Sequence, residues 1–466
     1  WLARHGLSLA FSTYQTNRLF LVGVASSGRL AVNERLFDKP MGLCLQEGRL
    51  TMACRYQIWH LENRLAPGEL HRDADQLFVP CRSDTTGDLN VHDLAWTSEG
   101  ALVFVNTDFS CLATLRPGFS FAPVWQPPFI TRLAAEDRCH LNGLALQDGE
   151  PAYVTACSRT DAPAGWRHHR SDGGVVLHVP SGEVAASGLS MPHSPRWHQG
   201  RLWLLNSGTG ELGCLDAGRF QPLARLPGFV RGLAFAGDCA VVGLSKLRSS
   251  SFSGLPLETW LADSGQSARC GLAVVDLRTG AVQETLQIDG VVEELFDVVA
   301  LPGVRRPRAL GFQDEDIERL ISFPGSGGLC TTKPTVQRPA RGRTAPTPGL
   351  PRTVEAPAAG AGVGAVRFQQ VFHLSPDTLR PYDALLASGL LERWQTHPPT
   401  GELLAVSASI DGQLLGLALA QRSPPGDATP SATLLSIGTL PPCDTPEIKQ
   451  TLCNHLERLA AAPLRR

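Results

Sequence analysis

Three histidines stand at matching places along the chain. His92 opens the string HDLAW, His193 opens HSPRW, and His140 precedes Asn142 of NGLAL by two residues. Neutral imidazole is the commonest transition-metal ligand, and three of them around an open position is the arrangement of catalytic Zn and Fe sites. Carboxylates and a guanidinium accompany them: Asp93, Glu294, Asp297 and Arg231. The chemistry these types allow is metal-assisted attack on a small molecule. His92, His140, His193 and Asn142 would hold one divalent metal ion. Glu294 and Asp93 would serve as acid/base groups, and Arg231 and Asn142 would bind substrate.

These residues are far apart in sequence, so the fold must gather them. Residues 1–312 are dense in short apolar runs such as RLFLVG, ALVFVN and RLWLLN, divided by Gly, Asp, Asn and Pro. Runs of that length without helical periodicity predict β-strands. Six segments align on one pattern, with second positions at Gly42, Asp93, Gly143, Ser194, Gly232 and Asp297. Their mean spacing of 51 residues matches one four-stranded blade. The fold class expected is mainly β, a six-bladed β-propeller over 1–324. The residues opening the repeats (Met41, His92, Asn142, His193, Arg231 and Phe296) then converge on the central channel.

On this alignment His140 lies on the same face of an extended strand as Asn142 and reaches the channel mouth. Arg231 and Glu294, from the opposite blades, either balance each other's charge or clamp a substrate carboxylate. A structural role is also open to these histidines: capping blade backbone groups, with rings pointing between blades rather than at the axis. The segment FSFAPVWQPPF (119–129) is either a lid over the channel or packing between blades. Trp166 with Arg167, His168, His169 and Arg170 reads as a solvated polar loop. Cys139 reads as buried, and Lys246 and Arg248 begin a loop able to meet an anion.

Composition changes after the propeller. Residues 333–357 hold six Pro and four Arg with no aromatic residue, so 325–364 is expected to be a disordered linker. From 365 to 466 the order β-α-β-β-β-α describes a small α/β domain ending in the helix TPEIKQTLCNHLERLA. The formal charge of −2 over 466 residues gives no case for nucleic acid, and no apolar run is long enough to span a membrane. Twelve scattered Cys with no CxxC pair point to a reduced, cytoplasmic protein.

Long strings such as TGDLNVHDLAW (86–96), VNTDFSCLATL (105–115), EDRCHLNGLAL (136–146), GLSMPHSPRW (188–197) and NSGTGELG (206–213) resemble a bacterial family of conserved proteins of unknown function. More distantly, the repeats resemble gluconolactonase/regucalcin-type six-bladed propellers. That resemblance implies an axial metal held by Glu, Asn and Asp. Asn142 matches the Asn, His193 occupies the Asp position, and Lys39-Pro40-Met41-Gly42 stands where the Glu would be. Residues 365–466 resemble the N-terminal half of the acetyl-CoA-dependent N-acetyltransferase fold, so the domain is expected to be incomplete. The loop PPCDTPE lacks the glycines of that family's pyrophosphate loop, which implies no acetyl-CoA binding. Three functions follow as expectations: a metal-dependent small-molecule hydrolase resembling lactonases, a non-catalytic scaffold for a ligand or protein partner, or a bifunctional protein whose acetyltransferase domain is completed outside this chain.

Overall fold

Apolar runs of four to eight residues form the inner strands here, most of them buried between neighbouring sheets, while outer strands such as Leu30–Leu36 and Val282–Gln287 face solvent. The computed structural model describes residues 1–247, 254–323, 330–331, 367–371, 385–386, 390, 403–410, 413–422, 432–440 and 444–461. The expected linker falls almost wholly outside these residues, as do most of the first helix of the β-α-β-β-β-α order and the end of the Lys246–Arg248 loop. The chain divides into two units, 1–335 and 336–466.

Among the described residues, the first unit holds six sheets, five four-stranded and one five-stranded, besides one two-stranded pair. Their innermost strands are Leu43–Gln46, Val91–Trp96, Leu141–Gln147, Pro192–His198, Phe229–Ala236 and Val298–Pro302. Each touches the next in this order, and the last touches the first, so the six close into a ring. Closure uses the two ends of the unit: Val298–Pro302 pairs antiparallel with Leu7–Thr13, with Leu9 opposite Ala300. Cores lie between sheets. Leu43, Leu50, Met52 and Phe78 pack against Leu19 and Leu21 of the adjoining sheet. Each such side chain contributes roughly 1.5–3 kcal/mol on burial.

The second position of each repeat explains how closely the inner strands fit. Gly42 and Gly143 lie where any Cβ would strike the following strand, at the His92 carbonyl and at Pro195 respectively. In the alternate strands the position is Asp93, Ser194 or Asp297. Their side-chain oxygens accept the backbone N–H of Leu144, Gly232 and Leu43 in the next strand, at 2.9–3.0 Å. Small residues and acceptors therefore alternate around the ring and tie it together.

In the second unit, strands Arg367–Val371, Leu403–Ile410, Gln413–Arg422 and Ala432–Thr439 form one antiparallel sheet in that order. The helix Pro446–Ala461 lays Leu452 and Leu456 on Leu404, Val406, Ala418 and Ala420. Thr445 Oγ1 accepts the Ile448 N–H at its start, as a helix N-cap does.

Candidate functional site

The residues two positions before the ring's first four opening residues share a left-handed backbone. Lys39, Asn90, His140 and Met191 have φ of 52°, 52°, 52° and 47°. This conformation costs a non-glycine residue about 1 kcal/mol or more and persists where packing demands it. The turn delivers each chain sharply to the axis. It also corrects the expectation for His140, which lies not on an extended strand but at the kink itself.

His92, His140 and His193 do converge. One ring nitrogen from each lies within 4.8 Å of the other two. The His92 ring meets His140 nearly edge-on at 4.8 Å between centroids and lies 6.4 Å from His193. His92 and His193 are buried, and His140 is partly exposed beside them.

The hydrogen bonds fix which nitrogen is offered. His92 Nδ1 lies 2.9 Å from the Asn90 carbonyl, which can only accept, so Nδ1 carries the proton. Thr107 Oγ1 is 2.8 Å from the same nitrogen and spends its own hydrogen on the Leu141 carbonyl. His193 repeats the pattern: Nδ1 lies 2.8 Å from the Met191 carbonyl and 3.1 Å from Ser207 Oγ, which donates to the Val230 carbonyl. His140 Nδ1 faces both oxygens of Asp137, at 2.9 and 3.1 Å. All three Nδ1 atoms are thus committed as donors, leaving the Nε2 lone pairs as possible ligands. Burial holds His92 and His193 well below the ordinary imidazole value, and the positive charge of Arg231 lowers both further. Both rings are therefore neutral, the form a metal binds. A bound metal with bonds near 2.1 Å and tetrahedral angles would set nitrogens about 3.4 Å apart, a contraction of up to about 1.4 Å.

The other expected residues separate into two groups. Asn142 lines a small axial cavity with His92 and His193, but its Oδ1 accepts from Thr155 Oγ1 at 2.7 Å, and its Nδ2 donates to Cys157 Sγ at 3.4 Å. Asp93 is buried and fully engaged. It receives Arg196 at 2.6 and 3.2 Å and the backbone N–H groups of Leu94 and Leu144. Arg196 Nη2 lies 3.6 Å from Asp297 Oδ1, so one cation faces two buried carboxylates across the ring. A proton-transfer role expected of Asp93 gives way here to an ion pair. Arg231 and Glu294 do not balance each other as one expectation held. Arg231 stacks against Phe296, Tyr14 and Phe229, while the Tyr14 hydroxyl donates to the Glu294 carboxylate.

Several residues of the site were missed in the sequence. Trp166 is buried rather than solvated: its ring stacks on His140 at 4.1 Å, and its Nε1 donates to Asp137 at 2.8 Å. Thr107 and Ser207 had a signal, since both are the hydroxyl residue closing the second strand of a repeat, in VNTDF and LNSGT. Ser245 occupies the equivalent place and donates to the Leu295 carbonyl. Arg196 had none, because nothing local shows an Arg crossing the axis. Of the 119–129 segment, Ala122–Trp125 is the outermost strand of its sheet, and Phe121, Trp125 and Phe129 pack between sheets, so it is no lid. Cys139 is buried as expected, and burial pushes its thiol up to about 12.

Residues 1–310 match the family described as "Domain of unknown function (DUF4915)", and the chain belongs to that family. No curated protein matches the chain. Among solved structures, the chain is similar to one from a nidogen/laminin complex, with 12% identity, 64% of this chain and 99% of the other covered, and a TM-score of 0.41. It is also similar to a gluconolactonase from Xanthomonas campestris, at 19% identity, with 51% and 79% covered and a TM-score of 0.34. For virginiamycin B lyase from Staphylococcus aureus the figures are 12% identity, 50% and 73% covered, and 0.31. No helix among the described residues is long and apolar enough to cross a membrane.

Proposed function

We propose that the first unit is a six-bladed β-propeller carrying a single divalent metal on its axis, and that it is a hydrolase for a small molecule. One observation supports this above the rest: three imidazoles meet at one point, each with its Nδ1 committed elsewhere. Capping the backbone would need one such bond per ring but would not need the three rings to gather in one place. A divalent ion there would supply Lewis acidity toward a carbonyl and lower the pKa of water.

The chain's own residues supply the remainder. Asn90 O, Met191 O and Asp137 orient the rings and fix which nitrogen of each carries the proton. Glu294, held by the Tyr14 hydroxyl, is the acid/base candidate. Asn142 remains a cavity-wall residue able to meet substrate. Cysteines that are all free among the described residues favour a reducing, cytoplasmic setting. For the second unit, four antiparallel strands followed by a helix favour the partial acetyltransferase-like domain.

Elemental analysis of the purified full chain tests the metal reading. Close to one Zn, Fe or Mn per chain is expected, with loss in His193→Ala. Protein that carries no metal, and takes up none on dialysis against each of these ions, would end it.

A further inference from the structure

Arg231 reaches the axial cavity from the inner strand Phe229–Ala236. It is only 9% exposed, and its Nε is buried without a hydrogen-bond partner. Among the described residues no carboxylate forms an ion pair with it. Its surroundings are aromatic instead: Cζ lies 4.4 Å from the Phe296 ring centroid, 5.5 Å from Tyr14 and 5.7 Å from Phe229. Stacked rings offset part of the desolvation of the charge, yet they accept none of its planar N–H groups. Buried polar groups are almost always satisfied, so an orphaned guanidinium edge beside a cavity calls for an absent acceptor.

We propose that this cavity binds a small monocarboxylate through the Arg231 fork, with the carbon next to the carboxylate facing His92 and His193. The anion site stands on Arg231 alone, and it rests on the metal reading only for where the reacting carbon lies. The fork geometry matches a carboxylate bidentately. With no metal bound, a single unpaired guanidinium matches a monoanion better than a phosphate dianion. Arg196, the other guanidinium in the cavity wall, is already taken by Asp93 and Asp297. The cavity volume is only about 10 Å³, about the room one water needs, so the site admits no more than the smallest of carboxylates.

Formate and its uncharged analogue formamide probe the site without demanding a particular substrate shape. Calorimetric titration of the full chain is carried out both after chelator treatment and after metal loading. In the chelator-treated protein formate is expected to bind roughly tenfold tighter than formamide, or better. Arg231→Gln should erase that preference, and Arg231→Lys should keep part of it. Equal binding of the two probes, binding of neither, or a preference that survives Arg231→Gln would overturn the proposal. Tighter binding of inorganic phosphate than of formate would overturn it in favour of a phosphate site. The wild-type comparison needs no variant to fold. Elemental analysis reports on the metal separately, so loss of the anion preference with metal present removes only this inference.

Discussion

His92 and Asp93 are neighbours in sequence but belong to two differently built layers of the same axis. In the carboxylate layer every acceptor is used: Asp93 takes two N–H groups and Arg196, and Asp297 takes the N–H groups of Leu43 and Val298. In the histidine layer the bonds are made on one side only. The Nδ1 atoms are anchored, the Nε2 lone pairs are left as possible ligands, and the buried Nε of Arg231 has no hydrogen-bond partner. Both layers are polar and largely buried, and apart from His140 and Arg196 both come from the same repeat position and the one before it. What separates structure from function here is the satisfaction of the polar atoms, not their type.

If that contrast is right, the carboxylate layer should respond to damage as structure. Arg196→Met would leave Asp93 and Asp297 facing each other without a cation. Removing one partner of a buried ion pair costs about 3–5 kcal/mol. A fall of that size is expected in urea unfolding of the full chain, and a change below about 1 kcal/mol would show that this layer does not hold the ring.

The histidine layer should respond in ligand affinity rather than in stability. Asp137 touches no metal position itself but fixes His140 and receives Trp166. Asp137→Asn is expected to weaken metal binding about 10–100-fold in chelator competition. Unfolding of the metal-free protein should change far less. Equal metal affinity in variant and wild type would make Asp137 a structural residue of the loop only.

Much of this contrast was legible before any coordinates, and for physical reasons. The alternation of Gly42, Asp93, Gly143, Ser194, Gly232 and Asp297 records strand-to-strand fit, which the repeat spacing exposes directly. The convergence of His92 and His193 follows from the same spacing. His140 was assigned to the right place for the wrong reason, because a single left-handed residue defeats the period-two rule without leaving a mark such as glycine. Trp166 and Asp137 escaped because their pairing is tertiary, between a loop and a short 3₁₀ turn. Asp93 was misjudged for a related reason. Its partner Arg196 lies 103 residues away, and a carboxylate reads as catalytic until its cation is found.

The smallest expected effect separates the layers by pH. Burial, and then the charge of Asp93, push Asp297 up to about 7 from the ordinary 3.8, against the pull of Arg196 and of the backbone N–H groups of Leu43 and Val298. Cys44 is the further titratable group coupled to this pair, and burial pushes its thiol up to about 11, so it stays neutral through the range concerned. A carboxylate with a raised folded value binds its proton more tightly in the folded state than in the unfolded one. Its contribution to stability is therefore complete below the unfolded value and is lost as pH rises through the folded one. His92 and His193 carry the opposite sign: with folded values lowered, their contribution is lost as pH falls below the ordinary imidazole value of 6.5. The two layers thus tilt stability in opposite directions across neighbouring pH ranges. Unfolding midpoints of wild type and Asp297→Asn, measured from about pH 4 to about pH 8, isolate the aspartate's share as the difference in slope. The variant should lose less stability, or gain more, as pH rises across that range, whatever its absolute stability. Parallel curves would mean that Arg196 keeps Asp297 ionised throughout, with the carboxylate layer a fully charged trio rather than one that shares a proton.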